Sequence, residues 1–558
     1  MAQKLIKDDL RIVIAQLNPI IGDIEGNLAL AEMAYQKAYE QDADLVLLTE
    51  LFISAYPPED LVLKSAFTKA CEDAVKKLAQ LTKEGPGIII GIPLKRDNDL
   101  YNGIMLLDDG QVIAERFKCD LPNYCEFDEK RVFSPGPRPE PIVYRGMTLG
   151  VVICEDIWND PSICAELSYK GAEIILVPNG SPYHRNKTKK RLDIVRAQAV
   201  QSYVPIIYAN QVGGQDELVF DGGSFALDEH GQMVFQMKHF ENHIALSHWQ
   251  RKSIGWQCIS GPNEELLDGL AADYHACVLG LKDYVNKNRF KDVLLGFSGG
   301  IDSALCATIA VDALGAERVC AVMMPYCYTS QESLKDAKEC ARLLGCRYEI
   351  IPIFKPVESF LSIMAPIFSG LRTDVTEENL QSRIRGSVLM ALSNKFDSMV
   401  ITTGNKSEMA VGYATLYGDM NGGFNPIKDI YKMQVYKLAE WRNKNYLQNL
   451  LGPKGIIIPS SIIEKAPSAE LRENQKDEDF LPPYPILDDI LQSLVEDDMN
   501  VCDIVKRGHS RQTVEKVEHL LYLAEYKRRQ SAPGVKISYK NFGRDRRYPI
   551  TNHFRDKS

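Results

Sequence analysis

Val293 to Ser303, VLLGFSGGIDS, closes an apolar run with small residues, and the SALCA that follows opens a helical pattern. A strand, a tight turn and a helix N-terminus in that order let backbone N–H groups approach a phosphate, and the helix dipole favours its charge. No Gly-Lys-Ser/Thr follows, so the loop is not of the Walker type. A Ser/Gly-rich turn alone is often only a turn. The strand before it, the helix after it and Asp302 within it point to phosphate. Three other reactive side chains, Glu50, Lys118 and Cys154, stand at or just past apolar runs. Taken singly, Glu and Lys at strand ends are ordinarily solvated and a Cys inside VVIC is ordinarily core. A thiol with its free pKa of about 8.5 needs a base or a nearby cation to react as thiolate.

The elements that must position these residues follow from periodicity. Apolar runs predict strands over 11–16, 45–48, 87–93, 102–110, 150–156, 173–180 and 205–211, with a hairpin over 224–236. Asn27 is expected to cap a helix through LALAEMAYQKAYE. Strands alternating with helices predict an α/β layered domain, with strands paired as a sandwich. Periodicity fades where polar, Gly and Pro residues gather. The domains are therefore expected at 1–247 and 264–558, with a linker over 248–263. Residues 264–287 read as an amphipathic helix with Leu267, Leu270, Tyr274, Cys277 and Leu281 on one face. The phosphate loop, a helix, the strand 319–326, a helix over 331–345 and the strand 348–353 make a β-α-β-α-β order. That order predicts a doubly wound parallel sheet with ligands beyond the strands' carboxyl ends. A strand over 399–403 again leads into a polar loop.

LLTELFISAYPPEDL, RFKCDLPNYCEFDEKRVF and GVVICEDIW together resemble the nitrilase (carbon–nitrogen hydrolase) superfamily, and most closely the glutaminase domain of glutamine-dependent NAD synthetases. SGGIDS resembles the pyrophosphate loop of ATP-pyrophosphatase ligases. TTGNKSE, GYATLYGDMNGGF and GVKISYKNFGRDRRYPITNHF resemble NAD synthetases, so the resemblance spans essentially the whole chain. It implies an N-terminal nitrilase-like α-β-β-α sandwich and a C-terminal doubly wound parallel-sheet ATP-pyrophosphatase domain. It also implies a Glu50-Lys118-Cys154 triad, with glutamine contacts at Tyr124, Phe127, Glu155, Ser181 and Lys187. Arg185 is the other basic residue near the last position, and Glu126 is a second carboxylate that could support the triad.

For ATP the resemblance implies Gly296, Phe297, Ser298, Gly299, Gly300, Ile301, Asp302, Ser303 and Thr403; for deamido-NAD, Asn379, Glu408 and Lys527. Magnesium would be held by Asp302 and Glu408, with Asp419 and Lys432 as further phosphate or substrate candidates. The implied substrates are deamido-NAD, ATP and L-glutamine, and the implied assembly is a homo-oligomer, at least a dimer. Arg544, Arg546 and Arg547 read as an interface patch in preference to a phosphate clamp. The acidic run 475–484 is open between a solvated loop and a lid.

Composition bounds these readings. At 558 residues the chain is too long for one core. A net charge of -10 argues against a dedicated nucleic-acid or membrane-surface protein. The opening MAQKLIKDDLRIVIAQ shows no apolar leader with a cleavage site, and no run is long enough to span a bilayer. Thirteen cysteines without C-x-x-C spacing fit reduced thiols in the cytoplasm better than a disulfide framework or zinc site. Two other readings are open at this level: a different ATP-pyrophosphatase amidotransferase, such as one making GMP or asparagine, or a catalytically inactive nucleotide- or glutamine-binding regulator. The Glu-Lys-Cys set disfavours the first. Retention of both Cys154 and Asp302 disfavours the second.

Overall fold

The computed structural model describes residues 8–158, 161–253 and 255–558, so the opening seven residues, expected to carry no leader, lie outside it. The chain divides into two compact units, Met1–Gln215 with Val219–Leu267, and Asp216–Leu218 with Asp268–Ser558.

In the first unit one sheet has seven strands, in the order Gly255–Ser260, His243–Lys252, Asp9–Gln16, Leu45–Leu47, Gly87–Arg96, Asp99–Asp108 and Gln111–Phe117. A second has six, Met233–Gln236, Phe225–Leu227, Ile206–Asn210, Ile174–Asn179, Met147–Val151 and Ile142–Tyr144. Side chains alternate across a strand. Ile12, Ile14, Ile89, Ile104 and Leu106 of the first sheet therefore share one buried core with Leu149, Val151, Ile174, Leu176 and Ile207 of the second. The intervening Val13, Ala15, Ile88 and Ile90 pack in a cluster with helices Ile24–Glu40 and Ser65–Ala79. Ile175, Val177, Ile206 and Tyr208 do the same with helices Ile163–Tyr169 and Lys187–Ser202. The unit is an α-β-β-α sandwich, and a one-residue slip in any central strand would exchange its two faces.

Four expectations change in detail. The strand expected over 150–156 stops at Val151, because Cys154-Glu155-Asp156 turns into a short 3-10 helix, Cys154–Ile157. Residues 248–263, expected as a linker, hold the end of one strand and all of the next; Trp249 and Trp256 are buried there in the inter-sheet core. Their aromatic burial replaces the aliphatic alternation that periodicity looks for. The helix expected from Glu264 starts at Gly269, where the Asp268 carboxylate caps it, so Leu267 precedes it. The first helix is capped by Asp23, while Asn27 lies inside it and bonds Ile20 and Ile53.

In the second unit four parallel strands run in the order Arg347–Ile350, Val319–Met323, Val293–Gly296 and Met399–Ile401. One face, with Leu294, Val322 and Val400, packs with Val357 of helix Phe354–Met364 and with Ile384 and Leu389 of helix Val375–Phe396. On the other lies helix Ile301–Leu314, buried at every residue but Asp302. That burial is why its sequence is apolar all round. Its one other acidic residue, Asp312, is buried against Arg442, Nε to Oδ2 at 2.6 Å and Nη2 to Oδ1 at 2.9 Å. Chain order reverses beside Val293–Gly296, whose neighbours are the next strand on one side and the last on the other. The loops that leave its carboxyl end and that of Met399–Ile401 open at this switch point, where such sheets bind ligands.

Candidate active sites

In the first unit Glu50, Lys118 and Cys154 lie three, one and three residues beyond the ends of strands Leu45–Leu47, Gln111–Phe117 and Met147–Val151. The structure brings them together in the buried interior. Lys118 Nζ donates to Glu50 Oε1 at 2.8 Å and to Glu129 Oε1 at 2.8 Å. Asn102 Nδ2 donates to Glu50 Oε1 at 2.7 Å, and the Gly180 N–H to Glu50 Oε2 at 2.8 Å. Tyr56 OH donates to Glu129 Oε1 at 2.8 Å. Backbone passes so close to Glu50 that Gly91 admits no side chain: a Cβ there would stand 2.1 Å from the Leu51 nitrogen. Burial alone would discharge Lys118, but the Glu129 and Glu50 carboxylates outweigh it and hold the ammonium well above its usual pKa. Burial also raises the pKa of the Glu129 carboxyl, with Lys118 opposing.

Cys154 has a backbone φ of 45°, the left-handed region that non-glycine residues rarely adopt. Burial first, and then Glu50, push its thiol well above the usual range despite Lys118. The resting group is therefore the thiol, and it needs a base at the moment of attack. Around it, Tyr124 OH donates to both oxygens of Glu155, at 3.1 and 2.9 Å. Tyr124 and Phe127 meet edge to face at 5.4 Å, and Lys187 Nζ lies 5.4 Å from the centre of the Phe127 ring. Lys187 also acts on Glu155, and Glu155 on Cys154, so these four expected contacts form one wall. Ser181 stands differently. Its carbonyl and hydroxyl accept from Arg191, which is paired with buried Asp221 at 3.1 Å, so it braces the site from behind.

In the second unit the 296–303 loop and the 402–408 loop line one cavity of about 430 Å³. Gly299, at φ 80°, presses on helix Gln331–Leu344; a Cβ would lie 2.4 Å from the Ser333 carbonyl oxygen. Ser298 Oγ accepts the Gly300 N–H at 3.2 Å, which tightens the turn before the helix. Asn405 caps helix Lys406–Val411, exchanging bonds with Glu408, and its Nδ2 reaches Asp302 Oδ1 at 2.9 Å. Lys432 Nζ bonds Asp302 Oδ2 and lies 3.4 Å from Glu408 Oε1. Burial and Asp302 push the Glu408 carboxyl upward. Two carboxylates thus converge on one ammonium, an excess of negative charge in a buried place.

Of the other expected residues, Phe297, Thr403, Asn379, Asp419 and Lys527 line the same cavity. Asn379 Oδ1 accepts from Thr415 at 2.9 Å, and Lys527 Nζ donates to the carbonyls of Gly412 at 2.8 Å and Ala414 at 2.7 Å. Gln475 and Asp477 of the acidic run also line it.

Residues 11–256 match the family described as carbon-nitrogen hydrolase, and residues 273–531 match that described as NAD synthase. Over 551 residues the chain is 47% identical to the glutamine-dependent NAD(+) synthetase of Rhodobacter capsulatus, covering 99% of this chain and 100% of that one. This chain belongs to the glutamine-dependent NAD(+) synthetase family. The synthetase of Thermotoga maritima is 43% identical over 98% of this chain and 99% of its own. The solved structure of the Acinetobacter baumannii synthetase, in complex with adenosine diphosphate, shares 40% identity and a TM-score of 0.78, covering 99% of this chain and 100% of that chain. Among the described residues no helix of this family member is long and apolar enough to cross a membrane.

Several site residues carry little signal in the sequence. The second carboxylate on Lys118 is Glu129, not Glu126, because the 3-10 turn Glu129–Arg131 aims Glu129 inward. Asn102 was legible only as a polar residue in an apolar strand, and Asn405 only as a helix cap. Arg546 is neither clamp nor interface. It is buried, donates to Glu525 at 3.0 Å and stacks 3.6 Å from the Tyr548 ring centre.

Proposed function

We propose that the first unit hydrolyses glutamine and the second uses the ammonia to convert deamido-NAD and ATP to NAD, AMP and pyrophosphate. One observation carries the reading: a buried Glu50–Lys118–Glu129 cluster beside a strained Cys154, in one chain with a phosphate-type loop facing Glu408. Cys154 Sγ attacks the side-chain carboxamide carbon as Glu50 takes its proton. Lys118 stabilises the oxyanion that forms. The C–N bond then breaks, the proton returns to the leaving nitrogen, and ammonia departs from a thioester. Water, deprotonated by Glu50, attacks the thioester; the C–S bond breaks to release glutamate and the thiol. Tyr124, Phe127, Glu155 and Lys187 hold the glutamine, whose ammonium and carboxylate need one acidic and one basic partner. Ser181 supports them.

In the second unit a nicotinate carboxylate oxygen attacks the α-phosphorus of ATP and pyrophosphate leaves. Ammonia then attacks the acyl carbon, and AMP leaves. Gly296 to Ser303 and Thr403 hold ATP; Asn379, Glu408 and Lys527 hold deamido-NAD. The converging Asp302 and Glu408 oxygens fit a hard cation, and magnesium there would neutralise phosphate charge. The reading includes a cytoplasmic homo-oligomer, a dimer or larger; a single monomer boundary in sedimentation at full activity would remove the oligomer.

The deciding assay supplies deamido-NAD, ATP and glutamine, with XMP and aspartate as control acceptors. AMP and NAD should form in equal amounts with deamido-NAD alone. ATP and glutamine left unconsumed would instead favour an inactive binding protein. A sharper prediction concerns Glu129→Gln, which keeps shape but removes one of the two charges on Lys118. Glutamine-dependent NAD formation should fall about 100-fold, while ammonia-dependent formation on the same sample stays near wild type.

A further inference from the structure

We propose that Asp156 is a positioning residue for glutamine hydrolysis: one carboxylate ties the backbone beside Lys118 to the backbone beside Cys154. The proposal rests on the glutaminase reading above. Asp156 Oδ1 accepts the Cys119 N–H at 3.0 Å and the Asp120 N–H at 2.7 Å, and Oδ2 accepts the Ile153 N–H at 3.3 Å. Cys119 directly follows Lys118, and Ile153 directly precedes Cys154. The side chain is 2% exposed, so no water replaces these bonds if they are lost.

The two tethered points need holding for different reasons. Cys154 sits at φ 45°, a backbone state that persists only where the surroundings impose it. Lys118 must keep its ammonium where the oxyanion forms; Asn102 and Gly136 bond its backbone at 2.8 Å each and Glu50 and Glu129 hold its side chain tip, but none of these bonds reaches the Cys154 segment. Asp156 acts on the backbone of both at once.

Three N–H groups on two oxygens require the charged carboxylate. A proton on either oxygen turns an acceptor into a donor and breaks at least one tether. Burial pushes Asp156 up to about 7, with the Asp120 N–H and Lys118 opposing. The titratable groups facing it are Lys118, Cys119 and Asp120 from the segment after strand Gln111–Phe117, and Cys164 from helix Ile163–Tyr169. Both thiols are pushed up to about 12, so they stay neutral, and Lys118 is held charged. The clamp is therefore intact above about 7 and lost below it.

The test compares full-length wild type with Asp156→Asn, measuring glutamate release from glutamine with ATP and deamido-NAD present, from about pH 6 to about pH 8. At the upper end the variant should lose about 100-fold in kcat, the cost of a misplacement near 1 Å. Its KM for glutamine should stay within about threefold, because the binding wall is untouched. The wild-type decline in kcat through about 7 should be absent from the variant. A kcat within about twofold of wild type, or an unchanged acid decline, overturns the proposal. If the variant does not fold, iodoacetamide labelling of Cys154 in wild type, read by peptide mass, decides. An inflection near 7 supports the clamp and a profile without one overturns it. Failure of the glutaminase reading looks different: Cys154→Ala would then still release glutamate.

Discussion

Cys154→Ala is expected to abolish NAD formation from glutamine and to leave formation from ammonium close to wild type. The expected loss is at least about 1,000-fold, or about 4 kcal/mol of transition-state stabilisation. No other thiol can substitute, because φ 45° at Cys154 aims that one side chain at a cluster made from three separate loops. Burial and Glu50 keep the thiol protonated at rest, so Cys154 and Glu50 act as one unit. Glu50→Gln should therefore cost about as much as Cys154→Ala, and the double variant little more, since groups that act together are not additive. Rates of NAD formation with glutamine and with ammonium chloride, on one preparation of each variant, check this. Glutamate released by Cys154→Ala at the wild-type rate would remove the nucleophile from the mechanism.

The layered fold of the first unit was legible because its strands alternate cleanly. Ile12 and Ile14 face one core while Val13 and Ala15 face another, and that period is written in the residues. The end of the unit was not legible, because Trp249 and Trp256 bury aromatic surface among neighbours that are mostly polar, Ser247, His248, Gln250, Arg251 and Gln257. The same division runs through the sites. Cys154 and Asp302 carry signals in their own neighbourhoods, a strand end and a Gly-rich turn. Glu129 carries none: it sits three residues past Glu126 in an acidic stretch, and only the 3-10 turn decides which carboxylate meets Lys118. Asp156 is similar, since its chemistry lies in which backbone N–H groups it receives. Local pattern reports the element; partners from distant segments report the role.

Asp302→Asn is expected to remove NAD synthesis with either nitrogen donor while glutamine hydrolysis persists. Lys432 is a buried ammonium at 3% side-chain exposure held between Asp302 and Glu408. Burial opposes its charge, and Asp302 is the larger of the two carboxylate contributions that keep it charged. An amide at 302 removes that charge and can turn an N–H donor toward the ammonium. It also leaves Asn405 with only a neutral acceptor in place of the carboxylate at 2.9 Å, so the direct link between the 296–303 and 402–408 loops weakens. Both effects precede the arrival of ammonia, which is why the nitrogen source should not matter. Pyrophosphate release from ATP and deamido-NAD should fall at least about 100-fold, about 2.7 kcal/mol. On the magnesium role proposed above, raising magnesium should not restore it, because an amide oxygen lacks the charge of a carboxylate. Retained glutamate release on the same sample separates this from general unfolding. Near-normal pyrophosphate release from Asp302→Asn at ordinary magnesium would mean that Asp302 only braces Lys432 and Asn405, and that Glu408 serves the phosphates without it.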